Sequence, residues 1–167
     1  MSHTMETNMP NATESTPVLS KACQKDCEQL NSFLRGELSA VETYEQAIPK
    51  FEDSATVQAL TRIAGYHRTA ATMLRDSIRT IGGEPDKSSG MWGSFAKTVT
   101  GAAKILGPQT VLAALREGEE HGIAEYDKAI NNAELSHECV TMIRGDLLTL
   151  CQKHLPVLNQ HIEMRKA

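Results

Sequence analysis

Aromatic residues are scarce in this chain: one Trp, three Tyr and three Phe, or 4% of 167 residues. That suits helix packing by Leu, Ile, Val and Ala rather than a sheet sandwich. Long apolar runs are absent, and the longest are only a few residues, too short to span a bilayer. A surplus of basic charge is also missing. Seventeen Lys and Arg stand against 21 Asp and Glu, a net charge of −4, which leaves no nucleic-acid footprint. The opening stretch "MSHTMETNMPNATESTPV" lacks a basic region followed by an apolar one, so it does not read as a secretory signal. Cysteines are few, namely Cys23, Cys27, Cys139 and Cys151. Without an export signal they are expected to be reduced cytosolic thiols, and the CxxxC spacing of the first two is a weak metal or redox signal. No nucleotide loop, zinc finger or catalytic triad is present, and "GGEP" is not followed by a phosphate-binding pattern. These absences give an expected cytoplasmic protein with neither nucleic acid nor membrane as partner.

What is present is ordinary for a soluble protein, with 40% hydrophobic and 23% charged residues. The length fits one domain with a substantial core. Residues 1–19 are polar, rich in Thr, Asn and Pro, and are expected to form a disordered tail, leaving residues 20–167 as the domain. Periodicity within it is helical almost throughout. Ser20 is a good N-cap for a first helix with the stripe Leu30, Leu34, Val41, Tyr44, Ile48, which Pro49 helps to end. Asp53 or Ser54 caps a second, with Leu60, Ile63, Ala70, Leu74, Ile78 and Ile81 inward, and "GGEPDKSSG" breaks the chain after it. A short amphipathic piece with Trp92, Phe95, Val99, Ala102 and Leu106 on one face follows, and Gly107-Pro108 stops it. The third long helix carries Leu112, Leu115, Ile123, Tyr126 and Ile130. The fourth, capped by Ser136, carries Val140, Ile143, Leu147, Leu150, Val157 and Met164. Pro156 is expected to kink or split it.

The predicted order is therefore hairpin, long crossover with its own short helix, hairpin. That is an all-α four-helix bundle whose two antiparallel hairpins are joined by one long connection. An internal repeat agrees: "RGELSAVETYEQAI" at 35–48 returns as "EGEEHGIAEYDKAI" at 117–130, each copy within the first helix of a hairpin. The short helix with Trp92 and Phe95 is expected to cover the end of the bundle or to offer a homodimer contact.

Four of the inward stripes are interrupted by ligand-type residues. The steps of four and three place Glu37 on the first helix, His67 on the second, Glu119 on the third, and His154 and His161 on the fourth. A buried carboxylate needs a partner, because an unpaired buried charge costs several kcal/mol. Two readings follow. Two Glu and two His converging on the axis are natural ligands for iron, manganese or zinc. Alternatively they satisfy one another, Glu to His and Glu to Tyr through Tyr44 and Tyr126, and no metal binds. Counting residues from the hairpin turns puts Glu37, His67, Glu119 and His154 at similar depth and His161 about 10 Å further along, so His154 is the preferred ligand and His161 the second choice. Glu117, Glu120 and His121, like Glu42 and Glu45, read as a solvated face.

On the "GE…Y" element of the first and third helices, the chain resembles the ferritin-like superfamily, rubrerythrin-type members especially. "LREGEEHGIAEYDKAI", with "IGGEP" before it, is similar to a bacterial family of ferritin-like four-helix-bundle proteins of unknown function. The resemblance covers roughly residues 25–165. It implies a di-iron centre built from Glu, Glu-x-x-His, Glu, Glu-x-x-His. This sequence departs from that pattern. Ala64 stands three residues before His67, Cys151 three before His154 and Leu158 three before His161, so both bridging glutamates are missing. The only literal Glu-x-x-His, Glu134 to His137, falls at a hairpin turn. Expected functions are a non-enzymatic bundle with a polar Glu/His centre, a stress-related protein or an interaction module, or a protein binding one divalent metal, or a rubrerythrin-like oxidoreductase. The sequence leaves open whether the protein is an enzyme.

Overall fold

The computed structural model describes residues 19–90 and 107–165. Helix α1 spans Lys21–Ala47 and ends in a 3-10 turn, Ile48–Lys50. Helix α2 is Ser54–Thr80 and α3 is Pro108–Ala129. The fourth rod has three contiguous parts: α4, His137–Met142; a π-helical stretch, Ile143–Leu148; and α5, Thr149–Met164. No strand occurs among the described residues. The predicted tail, and the predicted short helix with Trp92, Phe95, Val99, Ala102 and Leu106, lie outside them, apart from Leu19.

The helix starts follow local chemistry. The Ser20 hydroxyl accepts the Cys23 amide at 3.3 Å, Asp53 accepts that of Thr56 at 2.8 Å, and Ser136 accepts that of Cys139 at 3.2 Å. Each meets one of the amides that a helix's first turn leaves unbonded. Pro108, which has no amide to lose, opens α3. At the far end of α2, Gly82 adopts φ +84°, and the amides of Gly82 and Gly83 bond back to Arg79 and Ile78 at 2.9 and 2.8 Å. That double return closes the helix, and its left-handed residue favours glycine. A long-range tie supports the fourth rod: buried Asp26 on α1 accepts the Ser136 amide at 2.9 Å.

Helix α1 packs along α2, and α3 along α5 and the π stretch. Two apolar clusters result. One gathers Leu30, Leu34, Leu74, Ile78, Ala129 and Ile143; the other gathers Ala47, Leu60, Ile63, Leu112, Leu115 and Leu158. Each buried Leu or Ile contributes roughly 1.5–3 kcal/mol. Helix α1 and the fourth rod meet the first cluster and then the second, while α2 and α3 meet the second and then the first. Helices α2 and α3 therefore run in the same direction. On every rod the polar position falls between the two clusters: Glu37, His67, Glu119 and His154.

Three expectations need correction. Helix α5 runs on through Pro156, which faces solvent, so the fourth rod is not split there. Its core face is not Leu150 and Val157, which are half-buried, but Cys151 and Leu158. The inward positions are 143, 147, 151, 154, 158 and 161, so the steps after Leu147 and after His154 are four residues where the expected stripe took three. Met164, expected in the stripe, is 57% exposed.

Candidate metal centre

Glu119 is the hub, and it is 3% exposed. One carboxylate oxygen, Oε1, accepts from the Tyr44 hydroxyl at 2.6 Å and lies 3.0 Å from His67 Nε2. The other, Oε2, lies 3.0 Å from Cys151 Sγ and 3.0 Å from His154 Nδ1. A carboxylate has about four acceptor positions. Here each meets one protein group, drawn from all three other rods.

Glu37 is the second anchor. Its Oε2 lies 2.7 Å from His67 Nδ1, and its Oε1 accepts from the Tyr126 hydroxyl. The tyrosines thus cross over. Tyr44 on α1 serves the glutamate of α3, and Tyr126 on α3 serves the glutamate of α1. The repeat seen in the sequence is a reciprocal pair of contacts in space.

Both nitrogens of His67 face carboxylate oxygens, which only accept, so both carry protons and the ring is an imidazolium. Burial alone would push its pKa down. The charges of Glu37 and Glu119 and their hydrogen bonds override that and lift it to about 10. The same pairing acts in reverse on Glu119. Burial would raise it, but the His67 charge and the bonds from His154 and His67 pull it well below the usual carboxylate range. Burial first, and the neighbouring carboxylates second, push Tyr44, Tyr126 and Cys151 far up, so phenols and thiol stay protonated.

His154 is less fully served. Its Nδ1 faces Glu119, but its Nε2 is buried with no hydrogen-bond partner. An unmet buried polar atom costs about 1–3 kcal/mol. The exposed ring of Tyr66 stacks on the imidazole at 5.6 Å between centroids, and His67 meets it edge-on at 5.2 Å. His67, Glu119 and His154 each present a ligand atom within 4.8 Å of the other two, and all three are buried. Such a group could hold a metal ion. A cavity of about 360 Å³ between α1 and α3 reaches it, with Glu37, Tyr44, His67, Glu119, Tyr126 and Cys151 among its lining residues.

The residues singled out in the sequence divide as follows. Glu37, His67, Glu119 and His154 come together, although Glu37 stands behind His67 rather than in the three-ligand group. His161 does not join them. It is buried elsewhere, its Nδ1 3.0 Å from the Thr56 hydroxyl. Glu117, Glu120, His121 and Glu45 are exposed as expected, Glu45 pairing with Arg68 at 2.7 Å. Glu42 is half-buried and takes the Ser89 hydroxyl at 3.0 Å. Sequence reasoning missed Cys151 as a contact of Glu119. The signal was its position three residues before His154.

A family model described as a domain of unknown function (DUF2383) matches residues 25–132. No curated protein matches the chain. No solved structure matches it either. No helix among the described residues is long and apolar enough to cross a membrane.

Proposed function

The chain belongs to the DUF2383 family, and on that footing we propose that it is a metal-binding helical bundle, with one divalent ion held by His67, Glu119 and His154. The observation that carries this reading is the buried three-residue donor set, whose atoms lie within 4.8 Å of one another. The orphaned Nε2 of His154 supports it, because the protein's own hydrogen bonds do not account for the whole ring. Imidazole and carboxylate together suit zinc, iron or manganese. In the metal-free protein the protonated His67 holds the positive charge that the two glutamates require.

The helix directions favour a ferritin-like connection. Two hairpins whose inner members α2 and α3 run in the same direction need one long crossover between them. The di-iron centre associated with that fold does not fit the residues present. Bridging two ions takes carboxylates three residues before each histidine, and here these positions are Ala64, fully buried, and Cys151. A rubrerythrin-like oxidoreductase that depends on two irons is disfavoured on the same ground.

A self-sufficient polar core with no metal is the competing reading. It is favoured by the four protein groups that already surround Glu119. Calorimetric titration of tag-free, chelator-treated protein with zinc, manganese and, anaerobically, ferrous iron separates the two. Binding of one equivalent, abolished in Glu119→Ala or Glu119→Gln, is the expected result. At a hundredfold excess over Kd it should add about 2.7 kcal/mol of stability. Folded protein that takes up none of the three ions supports the polar core instead.

A further inference from the structure

We infer that Cys151 is a fourth ligand of this centre, which makes it a thiolate site selective for a soft or borderline ion, zinc above all, rather than for manganese or magnesium. The inference rests on the metal-binding reading above and adds a ligand that reading does not contain. Four observations carry it. Cys151 Sγ lies 3.0 Å from Glu119 Oε2, the same oxygen that His154 Nδ1 meets at 3.0 Å; the sulfur stands outside the group whose ligand atoms lie within 4.8 Å of one another, so ligation requires it to swing inward about Glu119. Cys151 and His154 are three residues apart within α5 and therefore share a face. The thiol is buried, 5% exposed, and its hydrogen bonds go only to Glu119, at Oε2 and, at 3.7 Å, the backbone oxygen. Finally, it lines both the 360 Å³ cavity on the α1–α3 side and a small void beside Tyr66 and His154, where the unpartnered Nε2 marks an incomplete polar shell.

The chemistry then follows from the donor set. His, His, Glu and Cys are nitrogen, oxygen and sulfur donors of the kinds that four-coordinate zinc takes, whereas magnesium and calcium prefer an all-oxygen shell and manganese gains little from a soft thiolate. On binding, the thiol proton and one His67 proton leave to solvent as the metal–sulfur and metal–nitrogen bonds form. No oxidant or reductant is involved. The residue that removes the bridging carboxylate needed for two irons thus supplies a ligand suited to one softer ion.

Cobalt(II) absorption tests the assignment. Wild-type protein loaded with one equivalent should show the visible bands of four-coordinate cobalt together with a near-ultraviolet thiolate-to-cobalt charge-transfer band. The charge-transfer band should vanish in Cys151→Ser while the visible bands persist, and it should survive in Cys23→Ser and Cys27→Ser. Zinc affinity should fall in Cys151→Ser by more than the roughly 10–100-fold typical of an outer-shell change, with little effect on manganese. X-ray absorption of zinc-loaded wild type, which needs no variant, should find one sulfur neighbour. Cobalt uptake without a charge-transfer band, or zinc with no sulfur neighbour, overturns the Cys151 assignment and leaves the three-ligand reading intact. Failure to take up cobalt or zinc overturns the Cys151 assignment, and failure with manganese and ferrous iron as well overturns both.

Discussion

The Tyr44 hydroxyl lies 2.6 Å from Glu119 Oε1, and Tyr126 makes the mirrored contact with Glu37. Each tyrosine follows the glutamate of its own helix by seven residues yet bonds the glutamate of the other helix. The two contacts fasten α1 to α3 at the level of the buried charges. A hydrogen bond to a charged group is worth about 1.5–3 kcal/mol. Tyr44→Phe and Tyr126→Phe should each lower unfolding free energy by about that amount in urea titrations, and by amounts within about 1 kcal/mol of each other. A loss confined to one of them would mean that the pair is not equivalent.

The ion pair at the centre makes stability pH-dependent in the metal-free protein. The folded pKa of His67 is raised, from 6.5 to about 10, so its contribution is complete below about 6.5 and is lost as pH rises through about 10. That of Glu119 is lowered from 4.5, so its contribution is complete above about 4.5 and is lost as pH falls below that. Melting temperature should therefore peak between about pH 4.5 and 6.5 and decline steadily towards pH 10. In His67→Gln the alkaline decline should flatten.

The two histidines of α5 should separate cleanly. His154→Ala removes a donor from the centre and should abolish metal uptake. His161→Ala removes a buried side chain outside the three-ligand group and its contact with Thr56, so it should leave the metal stoichiometry at the wild-type value and lower stability by about 1–3 kcal/mol. Calorimetry and chemical denaturation on both variants check this. Equal loss of metal binding in the two would contradict the geometry.

Gly83 sits against Cys27. A Cβ there would come within 2.4 Å of Cys27 Sγ, 3.0 Å of Ile78 Cγ2 and 3.2 Å of the Ile78 carbonyl. Gly83→Ala should cost about 1–3 kcal/mol through overpacking. Removing the sulfur should relieve most of the clash, so Cys27→Ala should cost less in the Gly83→Ala background than alone. Additive losses in a double-mutant cycle would refute this account.

Much of this architecture could be read from local pattern. Ser20, Asp53 and Ser136 cap where the sequence put them, because a side-chain oxygen ahead of an apolar-periodic run has few other uses. Glu37, His67, Glu119 and His154 were legible because each interrupts a regular inward stripe. Their mutual bonding, Glu to His and Glu to Tyr, was legible as one of two readings, but which tyrosine serves which glutamate was not. That Tyr44 would reach across to Glu119 depends on how α1 and α3 lie together, which periodicity does not encode. Leu150 and Val157 were misplaced because periodicity leaves the order of three- and four-residue steps open: Leu150 and Val157 satisfy one order, and Cys151 and Leu158 the other. Cys151 was hidden by the same slip, since the first order puts position 150 inward in its place. His161 keeps the periodicity of a ligand, but its depth belongs to the Thr56 end of the bundle.

The π stretch also sets how the chain tolerates substitution. A π turn is a helix with one residue to spare, and Arg144, Gly145 and Asp146 within it all face solvent. The wider winding therefore falls on a face that carries no core contact, so side-chain changes at these three positions should leave both apolar clusters and the buried Glu and His residues in place.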